Sequence, residues 1–176
     1  MSEPGHRCAI CGEEHRGLTM AWGADAPASW QALSPDERRY GTLTADWCRI
    51  GRAGLFVRGC LVLRIRGGGA GDVFTWLVWV RVSAADFRRA TSLWRRLARW
   101  GHLPLPGTLD DDLPYTPPTR GLPVRAHYGG AGMRPLVVVE PSSHPLAVEQ
   151  HGQISHERAV ELASGMAHAA AARRSA

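Results

Sequence analysis

Two residue types are missing from these 176 residues: there is no lysine and no asparagine, so all 21 positive side chains are arginine. Both absent residues have AT-rich codons, and a GC-rich genome accounts for their loss. The net charge of +5 and the pI near 9.6 therefore carry less weight as signs of a nucleic-acid partner than their size suggests. Long apolar runs are also missing. The stretches around Trp76 to Val80 and Leu136 to Val139 are far too short to span a bilayer, which excludes a transmembrane reading. The start, Met-Ser-Glu-Pro, lacks the basic residues and apolar segment of a secretion signal, and neither end carries a lipidation motif, so the expected location is cytoplasmic with no membrane partner. Common catalytic signatures are absent too. Gly67 to Gly71 has neither the lysine nor the following helix of a phosphate loop, and there is no serine nucleophile elbow and no His-Glu-x-x-His helix.

What is present suits one compact domain with a real core: 44% of the residues are hydrophobic and 21% charged. Residues 1–24 read as an N-terminal knuckle and loop belonging to the same domain, 25–172 as its α+β core and 173–176 as a tail. Ala28 to Leu33 and the segment after Ser34-Pro35-Asp36-Glu37 predict two short helices, the second with a serine N-cap and proline in its first turn. Thr42 to Ile50, Leu55 to Ile65 and Val73 to Ser83 predict three antiparallel strands in succession, with Phe74, Trp76, Val78, Val80 and Val82 on one face. Ser83 then caps a helix to about Trp100 whose one side is apolar and whose other side gathers Arg88, Arg89, Arg95, Arg96 and Arg99. The proline-rich residues 101–123 read as a long irregular connection. Leu122 to Tyr128 and Pro135 to Glu140 form a second hairpin, and a last helix starts at Ser155. The expected fold is a mostly antiparallel sheet of about five strands with helices packed on it and a zinc-knuckle-like segment against one edge.

Four cysteines stand at positions 8, 11, 48 and 60. In a reducing compartment the tight Cys8-x-x-Cys11-Gly12 spacing favours metal over a disulfide, because two thiolates two residues apart bind one tetrahedral ion and the glycine permits the tight turn. No second Cys-x-x-Cys completes the set. The remaining ligands then come from His15, Cys48, His127 or His144, with His15 nearest and Cys48 the only unassigned thiol. The expected site is a structural zinc held by Cys8, Cys11, His15 and Cys48. Cys60 alternates with apolar residues and reads as a buried structural cysteine. Arg58 suits a bidentate grip on an anion, or an ion pair with Asp46. His144, between Ser143 and Pro145, and His127, at a strand end, are candidate bases or ligands, against the ordinary reading of satisfied structural histidines. His6, His102, His151, His156 and His168 have no partner that spacing identifies.

Cys8-x-x-Cys11-Gly12-x-x-His15, Asp46-x-Cys48-x-Ile50, Phe56-x-Arg58-Gly59, Phe74-x-Trp76-x-x-Trp79-Val80 and the tail Arg134-Pro135, Glu140, His144-Pro-Leu-Ala147-x-Glu149-Gln150 resemble the bacterial domain-of-unknown-function family 2199. The resemblance implies one domain from about Cys8 to His168 and makes His15, Cys48, Arg58, His127 and His144 motif positions. It implies no reaction. Leu55 and Leu77 depart from the family pattern, as does the segment near Asp110 to Leu113, and the arginine-rich helix face lies outside it.

Three functions follow as expectations. The first is a zinc-binding module with a structural metal and a protein partner or ligand. The second is a metal-assisted hydrolase or other small-ligand enzyme in which Arg58, His127 and His144 converge on one pocket. The third is nucleic-acid binding through the arginine-rich helix.

Overall fold

The computed structural model describes residues 6–8, 11–12, 14–15, 18–51, 54–69, 71–95 and 104–175, with the backbone alone described for 6, 7, 15 and 93–95. The chain opens with a small antiparallel pair, β1 (His6–Arg7) and β2 (Glu14–His15). A short β3 (Ala21–Gly23) leads to two single-turn helices, α1 (Ala28–Gln31) and α2 (Pro35–Arg38). The second has the expected serine N-cap, and a capping box completes it: the Ser34 hydroxyl accepts the Glu37 N–H while the Glu37 carboxylate accepts the Ser34 N–H. The strands β4 (Gly41–Leu43), β5 (Trp47–Ile50), β6 (Gly54–Arg64) and β7 (Val73–Val82) follow, then α3 (Ala84–Arg95). Last come β8 (Pro104–Leu109), β9 (Pro123–His127), β10 (Leu136–Val139), α4 (Pro145–Gly152) and α5 (His156–Arg174). The final helix runs on into the stretch read as a tail.

The sheet is not open. Strands β6 to β10 pair in sequence as antiparallel neighbours, and β10 then pairs in parallel with β6, so five strands close into a barrel. Geometry requires the parallel seam, since an odd number of strands cannot alternate direction all the way round. β5 and β4 extend the sheet beyond β6, and β3 adds in parallel to the edge of β7. The inward residues are the ones that alternation picks out. Val57, Leu61, Leu63, Phe74, Trp76, Val78, Val80, Leu105, Val124, Ala126, Val137 and Val139 share one core with Leu146 of α4 and Ala159, Leu162 and Ala163 of α5.

Residues 104–109, read above as irregular, form β8. The Leu109 N–H bonds the Leu122 carbonyl on the β9 side and the Asp110 N–H bonds the Trp79 carbonyl on the β7 side. Strand alternation therefore turns the nitrogens of Pro104 and Pro106 towards β7, which pairs with β8 only at Gly107–Leu109. Among the described residues no strand pairs with that edge at Pro104 and Pro106, where proline is tolerated.

Two glycines let the walls approach. A Cβ on Gly59 would lie 2.5 Å from Val137 Cγ2 and 2.9 Å from the Pro135 carbonyl oxygen, and one on Gly107 would lie 2.5 Å from both the Arg81 carbonyl oxygen and Val80 Cγ1. Gly59→Ala should therefore push the parallel seam apart and destabilise the fold by about 1–3 kcal/mol in denaturant unfolding. An unchanged midpoint would show that the seam does not bear on stability.

Candidate metal centre

The N-terminal antiparallel pair presents Cys8 and Cys11 from its connecting turn. Gly12, at φ +75°, donates its N–H to the Cys8 carbonyl at 2.9 Å, a left-handed turn that glycine adopts without strain. The third donor comes from the far end of the chain. Ser155 caps α5 by accepting the Arg158 N–H, and Ala159, Leu162, Ala163 and Ser164 bury one stripe of that helix. His168 lies one turn past Ser164 on that side, and its Nε2 is 3.3 Å from Cys8 Sγ. The ligand atoms of Cys8, Cys11 and His168 all lie within 4.8 Å of one another, with Cys8 buried, Cys11 exposed and His168 half-buried. The donor set and spacing fit zinc: bonds of about 2.3 Å to sulfur and about 2.0 Å to nitrogen at a tetrahedral angle give a sulfur–nitrogen edge of about 3.5 Å.

Of the other residues singled out by sequence, none whose side chain is described joins this cluster. The backbone of His15 pairs with His6 across the hairpin, and its side chain lies outside the described residues. Cys48 is fully buried on β5 beside Ile50, Phe56 and Trp79, and burial pushes its thiol up to about 12, which disfavours the thiolate a metal needs. Cys60 is half-buried on the outer face of β6. It lines a cavity of about 620 Å³ with Asp46, His127, Met133, Arg134 and Leu136, and burial raises its pKa.

Arg58 and Asp46 do not pair through their side chains. Asp46 takes Arg134 Nε at 2.7 Å, while Arg58 donates to the backbone carbonyls of Ala24 at 2.9 Å and Ala45 at 3.5 Å and lies over the Trp79 ring. His144 is the N-cap of α4. Its Nδ1 accepts the Leu146 N–H at 3.1 Å and its Nε2 lies 2.9 Å from the Pro117 carbonyl, which requires the Nε2–H tautomer. Both ring nitrogens are committed to structure. Arg58, His127 and His144 make no bond to one another, and the cavity that His127 lines includes neither of the other two. On α3, Arg88 and Arg89 are exposed and Arg89 pairs with Asp86 at 3.8 Å. The side chain of Arg95 and all of residues 96–103, with Arg96, Arg99, Trp100 and His102, lie outside the described residues.

The acidic run 110–112 divides its labour. Asp110 accepts the N–H and hydroxyl of Ser29 at 2.8 Å each, fixing the start of α1, and pairs with Arg120. Asp111 accepts the Trp79 N–H through Oδ2, satisfying β7 where β8 has left it. Desolvation pushes the Asp111 carboxyl up to about 7, against the pull of the Trp79 N–H and with added repulsion from Asp110. Nearby, Tyr115 donates to Glu149 at 2.6 Å and Arg158 holds the other Glu149 oxygen at 2.8 Å, joining the long loop to α4 and α5. Sequence reasoning missed His168 and Asp111. No local spacing links His168 to a cysteine 160 residues away, and a run of three aspartates gives no sign of which one is buried.

Fold and site together define an α+β protein built on a closed five-stranded barrel, with a Cys/His cluster joining its N-terminal hairpin to its last helix. A family model described as "Uncharacterized protein conserved in bacteria (DUF2199)" matches residues 7–154, and the chain belongs to that family. The matched span includes Cys8 and Cys11 and ends before His168. No curated protein and no solved structure matches the chain. Among the described residues, no helix is long and apolar enough to cross a membrane.

The sign of the Asp111 effect is testable. Its folded pKa lies above the ordinary 3.8, so its contribution is favourable below that value and is lost as pH rises through about 7. The stability of the parent chain relative to Asp111→Asn should fall across that window by up to about 1.4 kcal/mol per pH unit, read from urea unfolding. A difference independent of pH would contradict the assignment.

Proposed function

We propose that this chain is a cytoplasmic zinc-binding domain whose metal is structural, held by Cys8, Cys11 and His168, and that the fold it fixes serves a protein partner or small ligand. The observation that carries this reading is the convergence of two thiols and an imidazole from opposite ends of the sequence. When bound, zinc supplies binding free energy to the folded state alone. Cys8 and Cys11 hold the N-terminal hairpin, His168 holds α5, and the ion joins them. The fourth position falls to His15 of the same hairpin by its spacing, and Cys48 is left out because its buried thiol resists ionisation.

Metal analysis of the purified native chain should find close to one zinc per chain. Chelation should lower the melting temperature by about 5 °C or more, corresponding to roughly 2 kcal/mol for a chain of this size. His168→Ala and Cys8→Ser should lose the metal, while Cys48→Ala should keep it and lose about 1–2 kcal/mol from the cavity it opens. No zinc in the native protein, or full zinc in His168→Ala, would overturn the reading.

A further inference from the structure

We propose that the cleft between β5, β6 and the start of α3 binds a small organic phosphate, its charge held by Arg49 and Arg88 and its organic part laid on an apolar floor. This site is independent of the metal. Arg49 on β5 pairs with Leu55 on β6, and Leu55 with Val82 on β7, so the three side chains share one face of the sheet. α3 packs against β6, and Ala84, Phe87 and Arg88 fall on one side of it at i, i+3 and i+4 spacing. These two sets border a cavity of about 510 Å³, the size of a small-molecule site, whose lining is completed by Gly51, Gly54 and Arg81.

The charge of this cleft is one-sided. None of the residues lining it is acidic, and between Trp47 and Leu109 the sequence contains no acid except Asp72 and Asp86. Asp72 lies at the far end of β6, where it accepts the Gly69 N–H, and Asp86 is engaged by the Ser83 hydroxyl at 2.6 Å and by Arg89 at 3.8 Å. The side chains of Arg49 and Arg88 are exposed and make no hydrogen bond or ion pair with a described residue, whereas Arg120, Arg134 and Arg158 each hold a carboxylate. Two guanidinium groups bordering one cavity without a counter-charge suit an anion from outside, and their planar forks match the oxygens of a phosphate. Ala84 opens α3 at the rim, so the positive end of the helix dipole adds to the same field. The floor selects the rest of the ligand. Leu55, Val82 and Phe87 are apolar, and Phe87 meets Trp47 edge-on with ring centroids 5.9 Å apart. Inorganic phosphate leaves that floor in water, while an ester with an apolar group covers it. A nucleic-acid backbone draws on a longer row of unpaired cations, and the next arginine of the helix, Arg89, is already paired.

The test titrates the zinc-replete full chain with phenyl phosphate, inorganic phosphate and phenol, reading calorimetric heat and melting temperature. Phenyl phosphate should bind saturably and most tightly, inorganic phosphate more weakly and phenol not at all. Arg49→Gln and Arg88→Gln, at exposed positions that do not threaten folding, should each weaken phenyl phosphate by about tenfold or more, the scale of one charge-assisted hydrogen bond. Arg64→Gln removes the same charge at the far end of β6 and should leave the affinity unchanged. Leu55→Thr should narrow the preference for the ester over inorganic phosphate. No saturable binding of phenyl phosphate, equal affinity for inorganic phosphate, or the same loss in Arg64→Gln as in the two cleft variants would overturn the proposal. So would a single-stranded deoxyoligonucleotide that binds where phenyl phosphate does not, since the arginines would then serve a polymer backbone. Zinc content measured on the same samples separates these outcomes from failure of the metal reading.

Discussion

The parallel contact between β10 and β6 is the constraint on which the rest of the structure depends. Four antiparallel turns bring the fifth strand back to the first in the same direction, and the ring closes only through the pairing of Leu136 with Cys60 beside the side-chain-free surface of Gly59. Closing the ring turns the alternate residues of all five strands into one interior. It also fixes where the outer pieces go: β5 and β4 extend from β6, β3 from β7, and α4 and α5 pack on the barrel.

Much of this was legible in the residues. The alternation of Phe74, Trp76, Val78, Val80 and Val82 marks a strand with one buried face, and all five are in the core. Ser34 with Glu37, Ser83 and Ser155 mark helix starts that the structure shows at those positions. Closure was not legible, because one parallel pair between strands more than seventy residues apart leaves no local pattern. β8 was hidden for a different reason. Its prolines argue against a strand with two neighbours and are silent about one whose nitrogens face an edge with no described strand beside it.

The site residues divide in the same way. The Cys8-x-x-Cys11-Gly12 turn is a local device and was readable as one, whereas its third donor is set by where α5 ends. His144 and Arg58 drew attention as chemical groups, and the structure commits both to backbone: His144 caps α4, and Arg58 ties two loop carbonyls beside Trp79. The arginine-only composition resolves similarly. Arg120, Arg134 and Arg158 are joined to Asp110, Asp46 and Glu149, so part of the basic excess serves as internal bracing.

These features give the two chain ends a shared role. The pair β1–β2 is a sheet apart from the barrel, and it meets α5 where Cys8 and Cys11 approach His168. X-ray absorption at the zinc edge tests that account most directly. The account predicts a first shell of two sulfurs with nitrogen or oxygen donors completing four in the native chain, and no zinc absorption edge from purified His168→Ala. A shell of three or four sulfurs would bring in Cys48 or Cys60 and contradict it.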